Sequence, residues 1–362
     1  MGAARGAAIL MAFQRSATAR GPAVELKLPP LPPEPRCTLV IPCVDEEGSI
    51  EAVIRAAMEQ RYPRDKIEIF VCDGGSKDGT RAVVERLAAL DARVRLLDNP
   101  GRFPGAAVNE ALRHATGSVI IRLDAHAAYA LDFVAASVDA LRATGAANAG
   151  GAARPLGRSR YQRFVCAALA SPLGVGGSAY RDAGREGFVE SVWGGAFRRE
   201  ALEHVGGFDA GARANEDAEL NQRLWEAGGK VYLSRAIVAH YYPRPSPSAL
   251  GRQYFTYGRG RARTLRRRRR LLSIRPLIPF AFVTGLGALG LLGAVSSTAR
   301  AAAFTLAAVY SAALLAESAR LALRVGPTAL GLPLVLPVMH GAHGLGVWAG
   351  IADAARARLG GR

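Results

Sequence analysis

Two short stretches of the 362-residue chain carry groups that a fold must either use or neutralise. In VIIRLDAHAAY, residues 119–129, an apolar run ends in Asp124 and His126. Neither a carboxylate nor an imidazole is buried without cost unless it finds a partner. Residues two apart on extended chain point to the same side, so both can face one ligand. A carboxylate with an imidazole suits a divalent cation, Mn2+ especially, since Mg2+ prefers oxygen donors. The alternative is that His126 only orients Asp124 or touches phosphate. In NEDAELNQRLWEAGG, residues 215–229, Glu216 and Asp217 open a helical run. Acids there can cap the helix and complement its dipole, or one of them can serve as a general base.

These groups need elements to position them. From residue 37 strand-like and helix-like runs alternate: CTLVIPC (37–43), a helical pattern over 49–60, IEIFVC (67–72), a helix over 80–90, VRLLD (94–98), a helix over 106–115 and SVIIRLD (118–124). The alternation predicts an α/β sheet with its functional groups at strand C-termini, and Asp73, Asp98 and Asp124 lie at such ends. A dinucleotide-binding domain would need GxGxxG after the first strand, but the turn reads PCVDEEGS, and GRGR at 258–261 follows no strand. No GxxxxGK[ST] occurs, so a P-loop has no support.

Charge and hydropathy divide the rest. The formal net charge is +17, and nine Arg with no acid fall between residues 252 and 270. Beyond them lie apolar stretches at 276–299, 301–316 and 325–352, free of Asp, Glu, Lys and Arg. The outer two can each cross about 30 Å of hydrocarbon, while the middle one is short. Three membrane segments are expected, the last either a full crossing or a hairpin broken by Pro333, Pro337, Gly341 and Gly344. Arg-rich chain before the first span keeps residues 1–270 in the cytoplasm and suits anionic lipid headgroups. Nucleic acid is the rival partner for such a run, but stacking aromatics do not interleave with it and a span follows, so none is expected. Cys37, Cys43, Cys72 and Cys166 form no CxxC pair and read as small hydrophobes in a reducing compartment. Residues 1–36 read as a disordered arm whose LPPLPPEP is a stiff spacer, residues 261–275 as an Arg-rich juxtamembrane segment and 353–362 as a basic tail.

Six elements, VIPCVDEE (40–47), CDGGSKDGT (72–80), GAAVNEAL (105–112), IRLDAHA (121–127), WGGAFRREALEHVGGFD (193–209) and NEDAELNQRLWEAGG (215–229), resemble in order and spacing the family 2 glycosyltransferases. Those are inverting enzymes with the GT-A fold, a Rossmann-like mixed sheet flanked by helices, that use nucleotide-diphospho-sugars. The resemblance covers about residues 37–260 and is strongest for enzymes of the succinoglycan-assembly type, with trailing membrane helices. It implies a role for each matched residue. Pro42 and Glu46 border the nucleotide, Asp73 accepts from a uracil ring, and Asp124 stands where the family commonly has Asp-x-Asp for the metal and diphosphate. Here Asp124-Ala125-His126 replaces that motif, which leaves Mn2+ or Mg2+ open. His240 resembles a position that completes the metal shell in some relatives; a satisfied core histidine is the plain alternative. Asp217 matches the catalytic base with Glu216 supporting it, and Trp193, Gly194 and Gly195 match the stretch that borders the acceptor. Arg259 and Arg261 resemble a segment that approaches the diphosphate, with lipid headgroup binding as the alternative.

The resemblance implies a multi-pass enzyme of the bacterial inner membrane, catalytic domain in the cytoplasm. It would move a sugar, glucose, from a UDP-sugar to a polyprenyl-diphosphate-linked saccharide in exopolysaccharide or other surface-glycan assembly, alongside other membrane proteins of a glycan pathway. Transfer to polyprenyl monophosphate is one alternative, and a non-catalytic scaffold that keeps the fold is another. Retention of Asp73, Asp124 and Asp217 together argues against the scaffold.

Overall fold

β1 (Cys37–Cys43), β2 (Ile67–Asp73), β3 (Val94–Asp98) and β4 (Val119–Arg122) lie side by side in the order β3-β2-β1-β4, all parallel. β1, β2 and β4 have buried side chains on both faces: Leu39 and Ile41 of β1 point into one cluster, and Val40 into the other. Helices cover both faces, which is why these strands read as continuous apolar runs. Helix Ile50–Met58 shows how the cover is built: Ile50, Val53, Ile54 and Ala57 recur at helical spacing and are buried.

The computed structural model describes residues 26–175, 179–210, 216–268 and 277–359; most of the expected N-terminal arm, Asn215, residues 269–276 with the end of the Arg run, and the tail beyond 359 lie outside the described residues. Further strands are β5 (Ala127–Tyr129), β6 (Asn148–Gly151), β7 (Arg154–Pro155), β8 (Gly187–Phe188), β9 (Trp193–Arg198), β10 (Val231–Leu233) and β11 (Ala239–Tyr241). β9 enters antiparallel between β4 and β6, completing a mixed eight-stranded sheet of order β3-β2-β1-β4-β9-β6-β10-β8. β5, β11 and β7 form a small second sheet. Strand order reverses between β1 and β4, so a crevice for ligands is expected beyond the C-terminal ends of those two strands.

Several expectations need correction. SVIIRLD does not stay extended to Asp124: β4 stops at Arg122, and Ala127 N–H bonds the Asp124 carbonyl in a turn. Strand alternation therefore cannot be what aims Asp124 and His126. The described part of the arm is no free spacer either. Leu26 N–H bonds the Ala227 carbonyl, Leu26 and Leu28 pack on one core cluster and Leu31 on the other, and Arg198 donates to the Pro29 carbonyl. Leucines set between prolines bury readily, because extended chain presents them to the domain wall.

The span 37–260 is not one continuous unit. One unit takes in residues up to Arg154, Ala179–Ala212 and Glu216–Tyr241; the other takes in Pro155–Ser178 and the chain from Tyr242 onward. In that second unit helix Arg160–Ala170 opens with a capping box between Ser159 and Gln162, Ser171 Oγ donates to Glu317, and Phe164 lies against Gly331, where a Cβ would come within 2.2 Å of its ring. Helix Pro247–Arg268 runs unbroken through the expected boundary at 260 and packs backbone to backbone on helix Leu332–Leu359, Gly258 meeting His343 and Gly346 meeting Phe255.

The apolar segments also differ in length from expectation. The middle one forms helix Ser297–Val325, with 29 residues and only 6% of its apolar window buried; Pro327–Arg356 is the second stretch long and apolar enough to cross a membrane among the described residues. The first segment forms helix Ile278–Leu292, of 15 residues, which falls short of that length among the described residues. The last segment is one helix with Pro337 inside it rather than a hairpin. The charge-free window 301–316 underestimated its helix because Arg300, Glu317, Arg320 and Arg324 sit on the same helix at its two ends.

Candidate active site

The loops that leave β1 and β2 are stitched together by their own side chains. Asp45 N–H donates to Ser76 Oγ and Lys77 N–H to Asp45 Oδ1, while Asp78 accepts from Glu47 N–H and from Thr80. Asp45 adopts a left-handed φ of 53°, which an Asp tolerates better than most residues. Pro42 is the penultimate residue of β1, paired with Cys72 of β2.

Asp73 closes β2 with its side chain fully buried, and it is heavily used. Gly75 N–H, Ser76 N–H, Ser76 Oγ and Arg81 Nη1 all donate to its two oxygens, at 2.5–3.2 Å, and Arg81 also holds Asp98 at 2.7 Å. Burial alone would raise this carboxyl; the Ser76 hydroxyl, the Arg81 guanidinium and the two N–H donors outweigh it and hold it below the ordinary carboxylate range. Asp73 and Asp78 thus both serve the turn. Cys37, Cys43 and Cys72 are buried free thiols, pushed by burial up to about 12 and inert as nucleophiles.

The end of β4 gathers different chemistry. Asp124 Oδ1 accepts from Nε and Nη2 of Arg122 at 3.1 and 3.0 Å, its Oδ2 accepts from Trp193 Nε1 at 3.1 Å, and its own N–H donates to the Tyr129 hydroxyl. Arg122 Nη1 reaches Glu216 Oε1 at 3.0 Å and Asp217 Oδ1 at 2.8 Å. Three carboxylates from two distant parts of the chain therefore meet on one guanidinium. Burial opposes the charge of Arg122, but Asp217, Asp124 and Glu216 outweigh it and strengthen its hold on the proton. Burial would also raise Asp124, yet Arg122, His126 and the Trp193 N–H keep it below its ordinary value. Asp217 goes the other way: burial, with Glu216 and Asp124 close by, overcomes the pull of Arg122 and lifts it to about 7. Two acids of opposite tendency in one site are the arrangement that acid–base chemistry uses.

His126 hydrogen-bonds Glu46 Oε1 through Nδ1 at 2.9 Å, and Ser49 Oγ donates to Glu46 Oε2. This bridge ties the β4 loop to the β1 loop across the crevice between those strands. A carboxylate on Nδ1 is also what sets a histidine up to offer Nε2 to a metal. His240 stands on β11 opposite Ala128. Among the described residues no three His, Cys, Asp or Glu side chains group so as to hold an ion, so Asp124, His126 and His240 do not form a complete protein shell. A carboxylate and an imidazole fit instead a cation that takes its remaining ligands from a diphosphate and water.

Trp193 at the start of β9 leans on Tyr241 with ring centroids 5.5 Å apart, so its N–H serves Asp124 while its face packs on an aromatic. Gly194 has φ +61°, and a Cβ on Gly195 would meet Asn148 and Phe197 at 2.8 Å. Arg259 and Arg261 belong to the helical unit, where Arg259 is ion-paired with Asp353. Arg122 was not among the residues expected from sequence. An Arg ending the apolar run VIIR was the available signal, since a guanidinium that deep needs acidic partners.

Family comparison agrees with this geometry. The family model described as Glycosyl transferase family 2 matches residues 38–206, and that of Glycosyl transferase family 21 matches residues 192–341. The succinoglycan biosynthesis protein ExoA of Rhizobium meliloti (strain 1021) is 39% identical over 245 residues, covering 67% of this chain and 74% of the relative. A Methanococcus voltae protein named as a dolichyl N-acetyl-alpha-D-glucosaminyl phosphate 3-beta-D-2,3-diacetamido-2,3-dideoxy-beta-D-glucuronosyltransferase is 27% identical over 313 residues, 84% of this chain and 93% of its own. The solved structure of mannosyltransferase PcManGT from Pyrobaculum calidifontis, in complex with GDP-Man and Mn2+, matches with a TM-score of 0.59 at 25% identity over 97% of each chain. Identity of that extent to ExoA, on a sheet that collects its acids beyond the ends of β1 and β4, makes the chain a member of glycosyl transferase family 2, a glycosyltransferase with the GT-A fold.

Proposed function

We propose that the chain is an inverting hexosyltransferase that moves glucose from a UDP-sugar to a polyprenyl-diphosphate-linked saccharide during surface-glycan assembly. The observation that carries this reading is the meeting of Asp124 with Glu216 and Asp217 on Arg122. A carboxylate held charged beside a weakly acidic one supports a donor role for the first and an acceptor role for the second. Asp217 takes the proton of the acceptor hydroxyl as its oxygen attacks the anomeric carbon. The bond from that carbon to the diphosphate breaks on the opposite face, and inversion follows. Glu216 shares Arg122 with Asp217 and supports it. Asp124 and His126 would hold a divalent cation, Mn2+ or Mg2+, which when bound offsets the charge growing on the leaving diphosphate. Trp193 fixes Asp124 through its N–H, and the stretch Trp193-Gly194-Gly195 is assigned to the acceptor side. Pro42 and Glu46 border the nucleotide.

A membrane location gives two further features a purpose. A long lipid-linked acceptor stays in the bilayer, so an enzyme acting on it must be held there, and Ser297–Val325 and Pro327–Arg356 have the length and apolarity to do so. Arg259 and Arg261, on the helix leading toward those spans, serve phosphate groups at the membrane face. One relative is named for succinoglycan biosynthesis, which supports a role in surface-glycan assembly, and another for transfer onto a dolichyl-linked sugar phosphate, which supports a lipid-linked acceptor without singling out a diphosphate linkage.

A GDP-sugar is the second reading of the donor. It is favoured by the GDP-Man bound in PcManGT and by the saturation of Asp73, whose oxygens already carry donors where a uracil N–H would need one. The test is a screen of UDP-, GDP- and dTDP-sugars with the detergent-solubilised full chain, supplying polyprenyl monophosphate and lipid-linked saccharides as separate acceptors. Transfer from a UDP-sugar to the diphosphate-linked saccharide is expected. Transfer only to the monophosphate would overturn the acceptor, transfer only from GDP-sugars the donor, and no transfer by folded protein the enzymatic reading.

A further inference from the structure

Arg122 is the last residue of β4, 12% exposed, and its two sides face different halves of the site. The Nε and Nη2 edge is spent on a single oxygen, Asp124 Oδ1. Nη1 is spent on Glu216 and Asp217, which open helix Glu216–Glu226, 94 and 95 residues further along the chain. Asp124 Oδ2 meanwhile accepts from Trp193. The carboxylate best placed for a cation thus already has donors on both oxygens, one of them a full positive charge. A second cation arriving at the same carboxylate meets repulsion that low solvent exposure makes strong.

We propose that Arg122 is a positioning residue with two coupled tasks: it fixes Asp217 at a set place across from Asp124, and it competes with the divalent cation for Asp124. The inference rests on the assignment of Asp124 to the cation and Asp217 to the proton. Its physical basis is the planar guanidinium, which can serve two carboxylate groups in different directions at once, where a lysine ammonium is a single point of charge. Because one residue touches both sides, cation affinity and base placement are linked, and removal of the guanidinium drives the two in opposite directions. A merely structural role for a buried arginine would weaken both together.

The test uses the full chain in detergent, with Mn2+ titrated in the absence of donor and the free ion read by electron paramagnetic resonance, alongside steady-state kinetics with the best donor from the screen. Arg122→Met is expected to bind Mn2+ about tenfold more tightly than the parent while kcat falls by roughly 10² and donor KM changes little. Arg122→Lys is expected to return Mn2+ affinity toward the parent value, since the positive charge is restored, without recovering kcat, since one ammonium cannot span three carboxylates. Arg122→Gln carries the same Mn2+ expectation as Met should the Met variant fail to fold. Unchanged or weaker Mn2+ binding in a folded neutral variant overturns the competition, and full turnover in Arg122→Lys overturns the spanning role. Failure of the base assignment looks different: Asp217→Asn would then keep its turnover while the Mn2+ shift in Arg122→Met persisted.

Discussion

At the end of β2, Asp73 receives hydrogen bonds from two backbone N–H groups, a hydroxyl and a guanidinium; beyond the end of β4, Asp217 shares one guanidinium with Glu216 and Asp124. Both are aspartates drawn from matched motifs; the Asp73 side chain is fully buried and that of Asp217 is about one-third exposed, at 30%. The first has more donors than its charge needs and is held acidic; the second has too few and rises to about 7. The surplus of donors marks a carboxylate that builds a turn, and the deficit marks one that can take a proton. Asp73 closes a strand and Asp217 opens a helix, and the two differ in how many donors each receives.

The comparison can be broken at several points. Chelation has the largest expected effect: EDTA should abolish transfer, Mn2+ should restore it at least as well as Mg2+, and His126→Asp should move the preference toward Mg2+. Full activity in EDTA would remove the cation from Asp124 and His126. Next in size, Asp217→Asn should lower kcat by about 10² or more while costing about 1 kcal/mol of stability, since the amide oxygen of Asn can still accept from Arg122. A variant that fails only because it unfolds would reduce Asp217 to the role of Asp73.

Asp73→Asn should show the mirror image. With amide hydrogens facing donors, stability should drop by about 1–3 kcal/mol in chemical denaturation, with a change in kcat far smaller than that of Asp217→Asn. The smallest expected effect is in acid. Because the Asp73 carboxyl is held below its ordinary value, its contribution is present above the unfolded value of about 3.9 and is lost as pH falls through the lower folded one. Denaturation curves of Asp73→Asn should therefore depend less on pH below about 4 than those of the parent. An unaltered acid slope would mean that Asp73 is not the turn's anchor.

Much of this was legible in the sequence, for identifiable reasons. β1 and β2 fell where near-continuous apolar runs predicted them, because strands covered on both faces have no polar alternation to blur them. Other matched elements prove to be scaffolding: Asn109 of GAAVNEAL clamps Phe208 of VGGFD through both N–H and carbonyl at 2.8 Å. Arg122 and its partners were not legible as a set, since the bonds that define them span about a hundred residues and no local spacing encodes them. The same holds for helix Arg160–Ala170. Its cap Ser159 and Gln162 can be read locally, but the bond from Ser171 to Glu317 joins positions 146 residues apart.

The most direct test of Asp217 as the base is the pH dependence of kcat under saturating donor, acceptor and Mn2+. A base must be unprotonated to act, and Asp217 is raised to about 7 by burial and its acidic neighbours. Turnover should therefore fall about tenfold per unit as pH drops below 7, and the residual turnover of Asp217→Asn should lack that limb. A parent profile flat from pH 5 to 8, or the same limb retained in Asp217→Asn, would contradict the account.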